Sequence, residues 1–275
     1  MSINDIIKYR KNIIKGDKSM TSHRQLQFNS NVGNEKLDNY FLQNSKCPFC
    51  DRSNLANIID EDDNIILLEN KFPVLHDTYQ TVLIETDDCF ADISTYPKQH
   101  LYRLFQFAVR KWLAMESSGK YSSVLFFKNH GPYSGGTIGH PHMQLVGLKH
   151  LDYQNYLLPE YFEGITINEK HGVVFNISTK PRVGFFEFNV ILPELSHLDQ
   201  MADYIQTAVH YVLHYFNKSC NSYNLFFYLR DDKIIAKIVP RFITSPLFIG
   251  YSIPQVSDRS EQVAAEIQRR YFTIR

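Results

Sequence analysis

Phe126–Leu148, FFKNHGPYSGGTIGHPHMQLVGL, decides how the rest of the chain is read. An apolar run leads into a turn containing Gly131, Gly135, Gly136 and Gly139, then into a polar–apolar alternation carrying His140, His142 and Gln144. A strand over residues 140–146 has a period of two and sets those three side chains on one face. Hydrogen-bonding groups side by side are costly to bury without partners or a task. The glycines let the backbone fold tightly and turn its N–H groups toward an anion. The segment therefore reads as strand, anion-cradling turn, and strand with chemically active imidazoles.

Working outward, the chain of 275 residues is long enough for one large domain or two modest ones, and 44% hydrophobic residues supply a core. Its 17 Tyr and 20 Phe suit strands. A formal net charge of zero argues against a surface built for nucleic acid, while leaving room for a local phosphate site. No apolar leader and no run of eighteen apolar residues is present, so neither export nor a membrane partner is expected. The four cysteines include one close pair and suit reduced thiols in a cytoplasmic protein better than a disulfide framework.

Residues 64–69, NIILLE, and 79–85, YQTVLIE, read as strands. Leu101, Leu104, Phe105, Ala108 and Trp112 predict a helix from Tyr96 to Ala114, with Ser94 as its cap and Pro97 in its first turn. Residues 121–128 form the next strand. The second half repeats this order: strands at 162–167, 172–178 and 183–191, a helix opened by Ser196 and Asp199 as a capping box, strands at 223–229 and 233–239, and a charged helix at 258–270. The expected fold is α+β: two duplicated halves, antiparallel sheets with packed helices, residues 1–150 catalytic and 151–275 diverged. Cys220 reads as a buried thiol.

Cys47-Pro48-Phe49-Cys50 is a knuckle whose two thiolates can grip one tetrahedral zinc. It needs two further ligands, and Cys89, His140, His76 and His130 are available before the midpoint. Cys47, Cys50, Cys89 and His140 make a set of three thiolates and one imidazole, with His76 in reserve. His142 is then left beside the metal as a nucleophile toward phosphorus, once its other ring nitrogen is tied down. Gln144 can donate its amide N–H to a phosphate oxygen.

The segment Asn129–Gln144 resembles the active-site signature of the galactose-1-phosphate uridylyltransferase family, part of the histidine-triad superfamily, which includes ADP-glucose and dinucleoside polyphosphate phosphorylases. Thr137 stands where the transferases usually carry Ser. The resemblance implies two histidine-triad-like halves, His140 as a zinc ligand, His142 as the nucleophile and Gln144 as the residue that holds the phosphoryl group. A third His in place of that Gln marks the hydrolases, so Gln144 favours transfer.

Upstream, Cys47 and Cys50 match the family's first zinc ligands, and Cys89 falls where many members carry His. Asn70, in Asn70-Lys71-Phe72-Pro73, resembles the nucleoside cradle, and Arg24 falls where an Arg meets the nucleotide phosphates. Gln255 matches the family's sugar-binding Gln across a gap, and Ile234–Lys237 lacks the paired histidines many members carry there.

The reaction this implies is nucleotidyl transfer by double displacement, from a nucleoside diphosphate sugar or dinucleoside polyphosphate to a sugar 1-phosphate or phosphate. Asn129, Gly135, Gly136 and Thr137 join Arg24, Asn70 and Gln255 on the substrate. The resemblance leaves room for a homodimer. Two other readings compete: a nucleotide hydrolase of the histidine-triad type, and a non-catalytic zinc-containing nucleotide-binding protein.

Overall fold

Runs that are apolar at every position, not at alternate ones, become the inner strands of a sheet covered on both faces. The computed structural model describes residues 25–32, 47–217, 219–242 and 244–273. In the first unit β1 (Ile58–Asp62), β2 (Ile65–Glu69) and β3 (Thr78–Ile84) pair in succession. A long helix, α1 (Lys98–Glu116), follows, then β4 (Ser123–His130) and β5 (His142–Leu148). β5 inserts between β3 and β4, so the order is β1-β2-β3-β5-β4, antiparallel throughout. β2 is buried at Ile65–Leu68 and β3 at its last five residues, whereas β1, IIDED, is a largely exposed edge. Its charges suit an edge that must not pair further. The Trp112 indole N–H, on α1, donates to the Val124 carbonyl at 2.9 Å and ties helix to sheet.

The second unit repeats the plan. β6 (Gly164–Lys170), β7 (Val173–Ser178) and β8 (Phe188–Leu192) are followed by helix α2 (Leu198–Tyr211), then β9 (Tyr223–Arg230) and β10 (Lys233–Pro240). β10 lies between β8 and β9, giving β6-β7-β8-β10-β9, again antiparallel. Each unit thus runs first, second, third, fifth, fourth, with its main helix between the third and fourth strands. This is an α+β fold of two like-folded domains, consistent with duplicated histidine-triad-like halves.

The two hairpins differ where it matters. Asp231 and Asp232 alone join β9 to β10, with φ of 49° and 61°, the geometry of a tight primed turn. The connection from β4 to β5 is the Gly-rich segment 131–141. By contacts, the first unit takes in Gln106–Lys128 and Thr137–Asn155, while Asn129–Gly136 belongs to the second together with Asp92–Phe105 and the chain from Tyr156 onward.

Local differences from the sequence reading have physical causes. α1 starts at Lys98, not at a Ser94 cap, and the Ser94 N–H is taken by Asp92 Oδ1 at 2.6 Å. The capping box at Ser196 does not form. Leu195–His197 is a 3₁₀ turn, and the Ser196 hydroxyl donates to Glu194 Oε2 at 3.5 Å. α2 ends in a π-helical turn, Val212–Phe216, and the last helix, Ser260–Ile267, does so at Gln268–Phe272. Cys220 is buried, as expected of a thiol with no local ligand partner. No described helix is long and apolar enough to cross a membrane.

Among the described residues, Lys128 forms a buried ion pair with Glu85 in the first unit, and Lys237 one with Glu187 in the second. Lys237 Nζ lies 2.8 Å from Glu187 Oε2 and donates to the Tyr161 carbonyl at 2.7 Å. Glu187 Oε1 accepts the N–H groups of Arg182 and Val183, both at 2.9 Å. Burial lowers the Lys237 pKa against the pull of Glu187. Lys237→Ala strands Glu187 without its counter-charge and is expected to cost about 3–5 kcal/mol, measured as a shifted denaturant midpoint. The companion Lys237→Met, Glu187→Gln double variant should recover part of that loss. Unchanged stability in the single variant would refute the assignment.

Candidate functional site

The knuckle closes on itself through the Cys50 N–H, which donates to the Cys47 carbonyl at 3.1 Å. Cys89 arrives from the loop past β3, and His140 from the end of the Gly-rich segment. The ligand atoms of Cys47, Cys50, Cys89 and His140 all lie within 4.8 Å of one another. His140 Nε2–H donates to the Thr86 carbonyl at 2.8 Å. A carbonyl can only accept, so this bond places the His140 lone pair on Nδ1. That atom faces the sulfurs of Cys47 at 3.5 Å and Cys50 at 3.4 Å. A tetrahedral zinc with ordinary Zn–S and Zn–N bonds sets such a sulfur–nitrogen edge at about 3.6 Å.

The donor set fits zinc, and the His140 bond to the Thr86 carbonyl holds the ligating imidazole in its tautomer. Burial pushes the Cys89 thiol up to about 12, with help from bonds to Cys50 and Cys47, and desolvation also raises Cys50. Burial lowers the pKa of His140, which keeps the ring neutral as ligation requires. His76 is exposed and stands outside the cluster.

β5 begins at His142, because Pro141 has no N–H to give a ladder. His140 therefore bends off the strand toward the thiols, and only His142 and Gln144 share a strand face. His142 Nδ1–H donates to the His140 carbonyl at 2.8 Å, which makes Nε2 its basic nitrogen. Gln144, two residues on, is half-buried, with Val82 and Phe127 as its register neighbours.

The same face carries an apolar cluster of Phe49, Ile66, Leu68, Val82 and Ile84, with Cys47, Leu55 and Ile138 packed against it. Phe49 is central to the arrangement. Its ring meets His140 edge-on at 5.8 Å and His142 at 5.4 Å between centroids. The knuckle thus delivers both metal ligands and the aromatic wall behind the second imidazole. Nothing in the spacing of Phe49 separates it from filler, so its role is not legible in the sequence alone.

The remaining expected residues have the following local settings. Arg24 lies outside the described residues. Asn70 Oδ1 accepts the Phe72 N–H at 3.0 Å and so shapes its own turn. Asn129 Oδ1 accepts from Asn224 Nδ2 at 2.7 Å. A Cβ on Gly136 would come 3.2 Å from the Asn129 Cβ, so a side chain there presses on Asn129. Gly131, at φ +81°, lies where a Cβ would meet the Asn221 carbonyl at 2.3 Å. Gly135 is exposed, Thr137 is half-buried, and Gln255 Oε1 accepts the Ser245 hydroxyl. Among the described residues no second metal cluster exists, and Ile234–Lys237 offers only the buried ammonium of Lys237.

Fold and site together define an α+β protein of two like domains, one of which holds a Cys3His centre fit for zinc. The chain belongs to the DUF4931 family: the N-terminal domain of this domain of unknown function matches residues 28–151 and its C-terminal domain matches residues 154–272. A crystal structure of a DUF4931 family protein from Bacillus cereus ATCC 10987 is 44% identical, with a TM-score of 0.72 over 78% of this chain and 100% of that one.

More distant structures share the fold. A uridylyltransferase mutant is 14% identical with a TM-score of 0.65, covering 82% of this chain and 93% of that one. An ADP-glucose phosphorylase from Arabidopsis thaliana with bound ADP-glucose is 15% identical with a TM-score of 0.62, covering 84% and 92%. No curated protein matches the chain in sequence. The fold is thus shared with a uridylyltransferase and an ADP-glucose phosphorylase, and the family is DUF4931.

Proposed function

We propose that the protein transfers a nucleotidyl group by double displacement through His142, from a nucleoside diphosphate sugar or dinucleoside polyphosphate to a sugar 1-phosphate or phosphate. The observation that carries this reading is the bond from His142 Nδ1–H to the His140 carbonyl, which leaves the lone pair on Nε2. In the first displacement that pair forms a bond to the α-phosphorus. The phosphorus–oxygen bond to the leaving sugar phosphate or nucleotide breaks, and its electrons go to that oxygen. A phosphate leaving group is a stable anion and needs little proton help. In the second, an oxygen of the acceptor phosphate attacks, the phosphorus–nitrogen bond breaks, and Nε2 regains its pair.

Gln144 donates its amide N–H to the phosphoryl oxygens as charge builds there. Asn129, Gly135, Gly136, Thr137 and Arg24 are assigned to the phosphates, Asn70 to the nucleoside, and Gln255 to the sugar. A bound zinc supplies positioning, since its four ligands tie the knuckle to the segment that carries His142.

A second reading, a zinc-containing nucleotide-binding protein without turnover, is favoured by the closed cluster. All four ligands come from the chain, as in structural zinc sites. The test incubates the protein, without acceptor, with UDP-glucose, ADP-glucose and diadenosine polyphosphates labelled at the α-phosphate. The transfer reading expects one nucleotidyl group on His142, stable to base and labile to acid. Tight binding with no adduct selects the second reading. Release of nucleoside monophosphate without acceptor selects a hydrolase.

A further inference from the structure

The second unit contains a polar chain of which only Asn129 has an expected role. Asn224, on β9, is buried, and each polar atom of its side chain is used. Its Nδ2 donates to the Ser134 carbonyl at 2.9 Å and to Asn129 Oδ1 at 2.7 Å, and its Oδ1 accepts from Arg241 Nη1 at 3.2 Å. The two ends of this chain set its direction. The Ser134 carbonyl can only accept and the Arg241 guanidinium can only donate, so the Asn224 amide has one orientation. The Asn129 amide inherits its own orientation from Asn224. Its oxygen is consumed, and its two N–H donors are turned away from Asn224, with no partner among the described residues.

Arg241 is half-buried, and no carboxylate of the described residues neutralises it. The surrounding turn is clamped in place. The Arg241 N–H donates to the Ser222 carbonyl at 2.8 Å, the Tyr133 N–H to Ser222 Oγ at 3.1 Å, and Ser134 Oγ to the Gly131 carbonyl at 2.7 Å. Gly131 and Gly136 are the positions where a Cβ would push this turn off Ser222 or press on Asn129.

We infer that Asn129, Asn224 and Arg241 form an anion-recognition unit in which the Asn129 N–H pair and the Arg241 guanidinium hold a phosphate oxygen of the substrate, and Asn224 is the positioning residue that aims both. A buried amide that only orients is costly unless fully satisfied, and this one is. Arg adds what Asn129 lacks, a fixed charge in a rigid donor fork that matches phosphate geometry. The inference rests on the transferase reading for the ligand being a nucleotide, but not for its being a phosphate.

The experiment is calorimetric titration of the full, zinc-loaded chain with inorganic pyrophosphate, UDP-glucose and ADP-glucose, at two ionic strengths. Arg241→Gln is expected to weaken each phosphate ligand that binds by about 10- to 100-fold and to flatten its salt dependence. Arg241→Lys should recover part of the loss. Zinc content and melting temperature stay at wild-type values. Asn224→Asp cannot donate to Asn129, so the Asn129 amide reverses and affinity falls at least about tenfold even where Arg241 remains. Arg241→Gln keeps the test decisive if the buried Asn224 variant does not fold.

Nucleotide binding unchanged within twofold in Arg241→Gln overturns the inference and leaves the transferase reading intact. Pyrophosphate binding that depends on Arg241, with no nucleotide binding in the wild type, overturns the transferase reading and keeps the anion site. Binding of neither overturns both.

Discussion

Replacing His142 by alanine should lower nucleotidyl transfer by at least about 10⁴-fold while nucleotide binding and zinc content persist. The expectation is so large because nothing else on that strand face can supply the electron pair. Gln144 carries an amide, which donates N–H bonds but is no nucleophile, and the His140 lone pair points to the thiols. Gln144→Ala should cost less, about 10²- to 10³-fold in kcat, because it removes one donor to the phosphoryl group and leaves the bond-forming step in place.

His142→Ala also opens a cavity beside Phe49, whose ring meets the imidazole at 5.4 Å. Some stability is therefore lost, and His142→Gln, closer in volume, is the control that separates packing from chemistry. Steady-state rates, with calorimetric binding on the same preparations, check the set. Transfer by His142→Gln above about a tenth of the wild-type rate would assign the nucleophile elsewhere.

The sequence exposes those parts of this molecule that depend on local pattern. NIILLE and YQTVLIE announce inner strands because their consecutive apolar residues, Ile65–Leu68 and Val82–Ile84, have no solvent face to serve, and the stripe from Leu101 to Trp112 announces α1. β1 escapes notice because IIDED is an edge, where charge is the rule and alternation is weak. β8 begins at Phe188, not at residue 183, because Glu187 turns its carboxylate back onto the N–H groups of Arg182 and Val183, a tertiary cap with no local signature.

The metal ligands were legible for a similar reason. Two thiols spaced by two residues can do few other things together, and a thiol just past a central strand can reach them. The roles of Phe49, Asn224 and Arg241 were not legible. Asn224 acts on Asn129 across 95 residues of sequence, and an Asn read alone is equally a turn former or a surface residue. Asn70 is singled out by the family resemblance, and the structure adds that its side-chain oxygen accepts the Phe72 N–H.

Removing zinc should have the largest effect on stability. The first unit's knuckle has little else to hold it, since Cys50 and Pro48 are exposed and Phe49 is its buried residue. Without the metal, the thiol of Cys89, raised by burial and by Cys50 and Cys47, and that of Cys50, raised by burial and by Cys47, are protonated at neutral pH and no longer share a cation. Structural zinc contributes folding free energy directly, and a loss of about 4 kcal/mol or more corresponds to a drop of roughly 10 °C or more in melting temperature for a chain of this size.

Because each thiol must give up its proton to bind, zinc affinity rises with pH, and chelator stripping becomes easier as the solution is acidified. Cys89→Ser should behave as partial removal, because a hydroxyl is a poor substitute for a thiolate. His140→Asn removes the nitrogen ligand and the Thr86 bond together and should lose both zinc and transfer. The checks are metal content by mass spectrometry and thermal melts with and without chelator, followed by zinc add-back. A stripped protein that keeps both its melting temperature and its activity would remove zinc from the account of how His142 is held. A fall in both, restored by zinc, would mean that the knuckle through Phe49 keeps that imidazole in place.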